Sequence, residues 1–182
     1  MKDTRTDIVN LAEKLIRTRG YNGFSYKDIS APLNIKNAAV HYYFPTKCDL
    51  GLAVVNRNRN AFEIETRKWS KESPDVQLSR FMKIYEDSRA AKMVCFMGAF
   101  GSSYDSLPSE LQGALTIAGA EIRLWLKQLL TKGLEENVFA FTENIECKAD
   151  SIISALLASL ILGKVTGQDI LANVRNVINN TI

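Results

Sequence analysis

Apolar residues recur along nearly the whole chain at intervals of three and four, and no stretch alternates cleanly between apolar and polar as a half-buried strand would. The pattern predicts an all-α protein. Ile8, Leu11, Ala12, Leu15 and Ile16 share one face of a first helix. Thr4 with Asp7 forms a candidate capping box at its start, and Gly20 stands where a left-handed residue ends a helix. A turn at YNGF follows. Ser25 with Asp28 is a second box, so a second helix is expected from near Tyr26, with Ile29 and Leu33 inward. Pro32 removes a backbone donor, which makes that helix short or distorts its last turn. After the turn Asn34-Ile35-Lys36, a very short third helix is expected from about Asn37 to Tyr43, closed because Pro45 disfavours helical geometry at Phe44.

Thr46 with Asp49 is a third box and opens a long fourth helix toward Trp69. In KESPD at 71–75, Ser73 suits an N-cap and Pro74 a first helical position. Further helices are expected near 74–90, 92–102, 109–136, 144–163 and 168–180, separated mainly by GSSYDSLPS and NVFAFTEN.

Charge adds a direction to this helical array. Residues 1–68 hold 12 Lys/Arg and 7 Asp/Glu, a net +5, whereas 69–182 hold 11 and 13, a net −2. A basic first third points to a polyanionic partner. The N-terminus MKDTRTDIVN has no apolar core of a secretory leader, and the longest apolar-rich run, Ile152 to Leu162, is too short to span a bilayer. Cys48, Cys95 and Cys147 are odd in number and far apart, which fits a reducing cytoplasm and disfavours a disulfide framework or zinc site. No metal or cofactor is expected. The chain has one histidine, no Ser/His/Asp or Cys/His constellation and no Gly-rich phosphate loop, so an enzyme is not expected.

The second and third helices have the spacing of a helix-turn-helix, whose second member fits the DNA major groove. In HYYFPTK at 41–47, Phe44 and Tyr43 are expected to pack inward with Val40. Asn37, Ala38, Ala39, His41 and Tyr42 are left on the outer face. The alanines allow close approach to base edges, Asn37 can donate and accept there, and His41 and Tyr42 can donate to phosphates. Lys47 falls in the first turn of the fourth helix, where free amides favour an anion.

SYKDISAPLNIKNAAVHYYFPTKCDL resembles the signature of the TetR family, broadly T-x-x-D-I-A, a small-residue turn and Y-x-Y-F-x-x-K-x-x-L. Ser25, Asp28, Ile29, Tyr43, Phe44, Lys47 and Leu50 fall on the pattern. The resemblance covers residues 5–55 and implies a dimeric, ligand-responsive transcriptional repressor. It further implies an N-terminal three-helix DNA-binding domain at 1–50, with the fourth helix, about 47–69, linking on. A C-terminal helical ligand-binding and dimerisation domain follows at 51–182. By the same resemblance Ser25 and Lys27 are phosphate- or base-contacting positions. Asn37, Ala39, His41 and Tyr42 are recognition-helix contacts, and Lys47 is a phosphate-binding lysine. The chain departs from the pattern at Asn34 (commonly glycine), Lys36 (commonly a Ser/Thr cap), His41 (commonly tyrosine) and Pro32. Without the cap, Lys36 becomes a candidate phosphate contact.

In the C-terminal two thirds, IISALLASLILG makes the helix at 144–163 apolar nearly all round, so it needs cover on every side. A second copy supplies it, and a homodimer through 144–163 and 168–180 is expected, with Ala155, Ala158, Ser159 and Gly163 letting the helices approach. A buried monomer core helix is the alternative. Phe62, Trp69, Tyr85, Phe96, Phe100, Tyr104 and Trp125, with Cys95, are candidate ligand contacts, because aromatic side chains gather there beside the hydroxyls of SSYDS. At helical spacing the same residues also read as plain core. The stretch around Cys95 loosely resembles repressors of the NemR kind, in which a cysteine of this region responds to electrophiles. A small buried hydrophobe is the alternative for that thiol.

The expected function is thus a cytoplasmic repressor that binds a palindromic operator as a homodimer and is released by a small apolar or electrophilic effector. The alternative is a helical ligand-binding or interaction protein without DNA binding. Replacing Tyr42 and Lys47 with alanine is expected to weaken binding to any duplex. Unchanged affinity in a gel-shift titration would move the motif elsewhere.

Overall fold

The computed structural model describes residues 3–182. Its order is α1 (Thr4–Arg19), a 3-10 turn (Tyr21–Gly23), α2 (Lys27–Leu33), α3 (Asn37–Tyr43), α4 (Lys47–Trp69), α5 (Pro74–Ala90), α6 (Phe96–Gly101), a second 3-10 turn (Tyr104–Ser106), α7 (Ser109–Glu135), α8 (Ile145–Thr166) and α9 (Ile170–Asn180). Among the described residues there is no strand, and no helix is long and apolar enough to cross a membrane.

Local chemistry sets most of the boundaries. α1 starts one residue earlier than the Thr4–Asp7 box implies. Asp3 is the cap, accepting from the Thr6 amide at 3.3 Å and the Thr6 hydroxyl at 2.5 Å, so its carboxyl is held below the usual range. Gly20 closes α1 with φ +84° and donates to the Ile16 carbonyl at 2.8 Å, though with an extended ψ of 161° rather than a left-handed one. α5 begins at Pro74 after Ser73, as its sequence predicts, and the Ser73 hydroxyl lowers the Asp75 carboxyl. α6 is shorter than expected. Lys92 adopts φ +56° and Met93 folds back onto the Ser88 carbonyl at 2.9 Å, which ends α5 and leaves Cys95 just ahead of α6. α8 runs to Thr166, where Gly167 takes the left-handed conformation and donates to the Gly163 carbonyl at 2.9 Å.

The chain forms two compact units. The first, the head, takes the described residues up to Ala61 together with Phe96–Ala118, and the second, the body, takes Phe62–Cys95 and Gly119–Ile182. Compactness therefore cuts the chain differently from the functional division drawn at residue 50, whose first two residues lie outside the described ones. The physical cause is visible in the head. Phe100 is fully buried with its ring 5.7 Å from Tyr21, and a methyl group on Gly51 would meet Leu111 and Tyr21, so α6 and the start of α7 close that core. Ile8, Ala12 and Ile16 of α1, Ile29 of α2, Val40 of α3, Leu50, Val54 and Val55 of α4 and Leu111 of α7 are fully buried in it.

The body packs Leu78, Phe81 and Met82 of α5, Leu126 and Leu130 of α7, Leu156 of α8 and Leu171 and Ile178 of α9 into one core. Lys148 is buried in it yet stays paired. Its ammonium meets Glu143 at 3.1 Å, the Thr181 carbonyl, and the Phe141 ring at 5.2 Å. After α7 the chain doubles back so that the Val138 and Phe139 amides both donate to the Gly133 carbonyl, at 2.9 and 3.0 Å. A Cβ on Gly133 would lie 1.9 Å from the Phe139 ring. Gly133→Ala gains helix propensity, worth about 1 kcal/mol, but must displace a buried ring, at about 1–3 kcal/mol. Displacement wins, and thermal melts should show a midpoint lower by a few degrees. An unchanged or raised midpoint would mean Phe139 is not held there.

Candidate nucleic-acid interface

α2 is fixed at its start by Asp28, whose Oδ2 accepts from both the Ser25 amide and the Ser25 hydroxyl at 2.8 Å while Oδ1 pairs with Arg19 at 3.1 Å. The Ser25 amide, the Ser25 hydroxyl and Arg19, in that order, lower the Asp28 carboxyl. Pro32 occupies the last turn, and α2 ends one residue later after seven residues. Asn34 then takes φ +54°, ψ 45°, the left-handed position usually given to glycine, and the Ile35 amide returns to the Ser30 carbonyl at 3.0 Å. Asparagine tolerates that geometry, so the turn stays tight.

α3 follows with the expected bounds, Asn37–Tyr43. Lys36 is extended before it and provides no side-chain cap. Val40 is fully buried and Phe44 is 2% exposed. The Tyr26 hydroxyl donates to the Phe44 carbonyl at 2.8 Å, and the Arg5 guanidinium sits 5.1 Å from the centre of the Phe44 ring. The opposite side of α3 faces out. Asn37, His41 and Tyr42 are exposed, Tyr42 at 81%, and Ala39 is half-buried. Tyr43, expected inside with Val40 and Phe44, is 37% exposed and stands edge-on to Tyr42, their ring centres 5.2 Å apart. Seven residues make two turns, and Val40 with Phe44 already fills the buried stripe. The His41 ring centre lies 4.5 Å from that of Tyr26, tilted by 58°, with Nδ1 3.4 Å from the Pro45 carbonyl.

Ser25, Lys27 and Lys36 are exposed around the same short motif. Lys47 is not. Its ammonium donates to the Phe24 carbonyl at 2.5 Å and lies 4.2 Å from the Phe24 ring centre and 5.1 Å from that of Tyr21. Burial lowers its pKa, and Asp28 opposes the shift. Here Lys47 is a strut under the turn that precedes α2. Two supports have no counterpart in local sequence pattern: Arg5 on Phe44, and the Ser30 hydroxyl, which donates to the Asn37 side-chain carbonyl. Both depend on residues brought together by folding rather than by spacing.

α4 opens with a reciprocal box. Asp49 Oδ2 accepts from the Thr46 amide at 2.9 Å and the Thr46 hydroxyl at 2.7 Å, and the Asp49 amide donates back to that hydroxyl at 3.1 Å.

In the body, four of the candidate ligand contacts belong to one cluster. Trp125 lies 5.4 Å from Phe62 and 6.2 Å from Trp69, and Phe81 links Trp125 at 5.3 Å to Tyr85 at 5.6 Å, mostly edge to face. Burial, then Cys95, drives the Tyr85 phenol far above its ordinary value. Cys95 is half-buried against the same core. Phe96, Phe100 and Tyr104 belong to the head instead, where Tyr104 shares a hydrogen bond with Thr116 at 3.0 Å. Beside Trp125 a cavity of about 300 Å³ is lined by Thr66, Arg67, Gln77, Gln128 and Lys132 among others. This polar lining has no local signal in the sequence, because α4, α5 and α7 each contribute to it: Thr66 and Arg67, Gln77, and Gln128 and Lys132.

α8 exposes Ser151, Ser154, Ala158, Ile161, Leu162 and Val165 along one face, Val165 at 79%. Of the four small residues expected to mediate close approach, only Ala158 is exposed. Ser159 turns inward and donates to the Leu156 carbonyl at 2.7 Å, and Ala155 and Gly163 are half-buried.

Residues 8–54 match the profile described as bacterial regulatory proteins, tetR family. Over its full length the chain is 32% identical to a TetR transcriptional regulator from Legionella pneumophila, covering 98% of that chain with a TM-score of 0.89. It is 24% identical to a TetR-family regulator from Agrobacterium tumefaciens, spanning 99% of this chain and 98% of that one at a TM-score of 0.90. An HTH-type transcriptional regulator encoded in the lacX 3' region of Lactococcus lactis subsp. lactis is 29% identical, over 91% of this chain and 86% of that protein.

Two of the head's capping carboxylates, those that open α2 and α4, tie its stability to pH. Asp28 and Asp49 are both lowered below 3.8 in the folded state. Their contribution is therefore present above the unfolded value and lost as pH falls through the lowered folded values. Melting temperatures of the intact chain should drop between pH 5 and the acid side of 3.8, and the D28N/D49N double variant should melt lower at pH 7 with a flatter acid slope. Parallel slopes would assign the acid sensitivity to other carboxylates.

Proposed function

Because the chain belongs to the tetR family of bacterial regulatory proteins and is a DNA-binding transcriptional regulator, we propose that it is a repressor. It grips a palindromic operator as a homodimer and lets go when a small apolar or electrophilic molecule enters the body. The observation that carries the reading is the two-sidedness of α3. Val40 and Phe44 hold one side, and Asn37, His41 and Tyr42 are turned to solvent on the other, with Ala39 half-buried between them. A helix so held enters a major groove with its first residues toward base edges. Tyr42, Lys36, Lys27 and Ser25 take the flanking phosphates. Lys47 reaches a phosphate only by leaving its carbonyl and two rings. Phosphate contacts make affinity fall steeply with salt, by a log–log slope of about −0.9 per phosphate neutralised.

Two copies meet through the apolar face of α8, with Val177 of α9, which is 61% exposed, extending it. A two-fold interface uses the same patch on each copy and sets two α3 helices against one face of the duplex, one DNA turn apart. The effector occupies the space beside Trp125, where an apolar floor meets a few polar groups. α4 and α7 contribute residues to both units, so ligand entry is felt along helices that also belong to the head. Family membership sets aside the alternative of a ligand carrier without DNA binding.

Sites selected from random duplex DNA should be inverted repeats. L162E/V165E places charges inside the dimer, each losing about 3–5 kcal/mol if buried without a partner. Sedimentation should show monomers, and operator affinity should collapse to that of one head. A variant that stays dimeric and binds normally would put the interface elsewhere.

A further inference from the structure

Ser30 is a polar residue in the interior of the head. It lies on α2, is 5% exposed, and points its hydroxyl at α3. That hydroxyl has one proton to donate. The Lys27 carbonyl is 3.5 Å away, at the limit of a hydrogen bond, while the Asn37 Oδ1 is far closer, so the proton goes to Asn37. Asn37 is the first residue of α3 and is exposed. Its Oδ1 is turned inward to α2, and its Nδ2 makes no hydrogen bond to the protein among the described residues.

An asparagine on a recognition helix reads adenine by using both ends of its amide. Oδ1 accepts from adenine N6 and Nδ2 donates to adenine N7. Here the accepting end is taken. Turning Oδ1 toward a base would leave the buried hydroxyl only the Lys27 carbonyl at 3.5 Å, a penalty that cancels the gain from one base contact and so gives no net drive to turn. The tie therefore holds when DNA arrives, and Asn37 meets the groove as a pair of N–H donors. Guanine offers two acceptors there, O6 and N7. Thymine offers O4, adenine offers N7 beside a competing donor, and cytosine offers only a donor.

We propose that Ser30 is a positioning residue for sequence recognition: by holding the Asn37 carbonyl it makes Asn37 a donor-only reader that selects guanine and rejects adenine in the operator. The inference rests on the placement of α3 in the major groove. It concerns this chain's own pair, a buried serine on α2 and an asparagine at the start of α3.

The test is selection of binding sites from a randomised duplex library by the full-length wild type and by the N37A, S30A and S30T variants, with melting temperatures measured alongside. The position that Asn37 reads is the one whose preference N37A abolishes. There the wild type should favour guanine over adenine by about ten-fold. S30A should bring the two within about two- to three-fold, and S30T, which keeps the hydroxyl, should restore the wild-type ratio. Loss of a merely structural contact would lower affinity for all sites and leave that ratio unmoved. Wild-type selection of adenine there, or an S30A profile identical to the wild type, overturns the proposal while leaving operator binding by α3 intact. If N37A alters no position, Asn37 does not read bases and the proposal fails. If no variant or wild type selects any site, the groove placement itself fails. Should S30A melt below the assay temperature, the comparison of wild type with N37A decides alone.

Discussion

A seven-residue helix has no stability of its own, and α3 exists only because Val40 and Phe44 are held. Phe44 is the pin. Its ring is buried under the Arg5 guanidinium and its carbonyl accepts the Tyr26 hydroxyl. Every outward residue of α3 takes its direction from that anchoring. With Phe44 and Val40 inside, Asn37, His41 and Tyr42 have nowhere to go but out. The neighbouring turn is held as firmly, by Lys47 packed under Tyr21 and Phe24 and by Asn34 in the left-handed position. A helix held this way keeps its outward side chains in fixed directions, as recognition of fixed base positions needs.

The body answers a different requirement. Its rings are packed mostly edge to face around Trp125, and a cavity with polar groups in its walls opens beside them. α8 gives one side to that core through Ile152, Leu156 and Leu160 and leaves the other to solvent as Ile161, Leu162 and Val165. An exposed apolar stripe of that kind is rare on a chain that acts alone. Membership of the TetR family makes the chain a DNA-binding regulator, and its two units divide the chain into a head with the helix-turn-helix and a body with a cavity and an exposed apolar face.

Much of this was legible because capping is local. Ser25 with Asp28 and Thr46 with Asp49 announce their helices over four residues, and Pro45 and Pro74 set limits that no tertiary contact can override. The end of α3 and the start of α5 follow from those two prolines. The misses are equally physical. Asp3 competes with Thr4 for the cap of α1 and wins as a carboxylate. α6 starts late because Lys92 adopts a positive φ, which no residue pattern around it signals. Tyr43 faces out and Ser159 faces in because helix faces are chosen by what neighbouring elements offer, not by the residue's polarity. Lys47 sits on a motif position associated with phosphate, yet folding supplies two rings and a carbonyl for it at sequence separations of 23 and more. The candidate ligand residues divide for the same reason. Aromatic side chains at helical spacing do not reveal which of two cores they enter, and Phe100 enters the head.

The most direct measurement is methylation interference on the protein's own selected operator, which probes guanine N7 in the major groove base by base. Two α3 helices of a dimer should give two symmetric clusters of interfering guanines, centred about ten base pairs apart on one face of the duplex. A single cluster, clusters on opposite faces, or interference confined to the minor groove would contradict that arrangement.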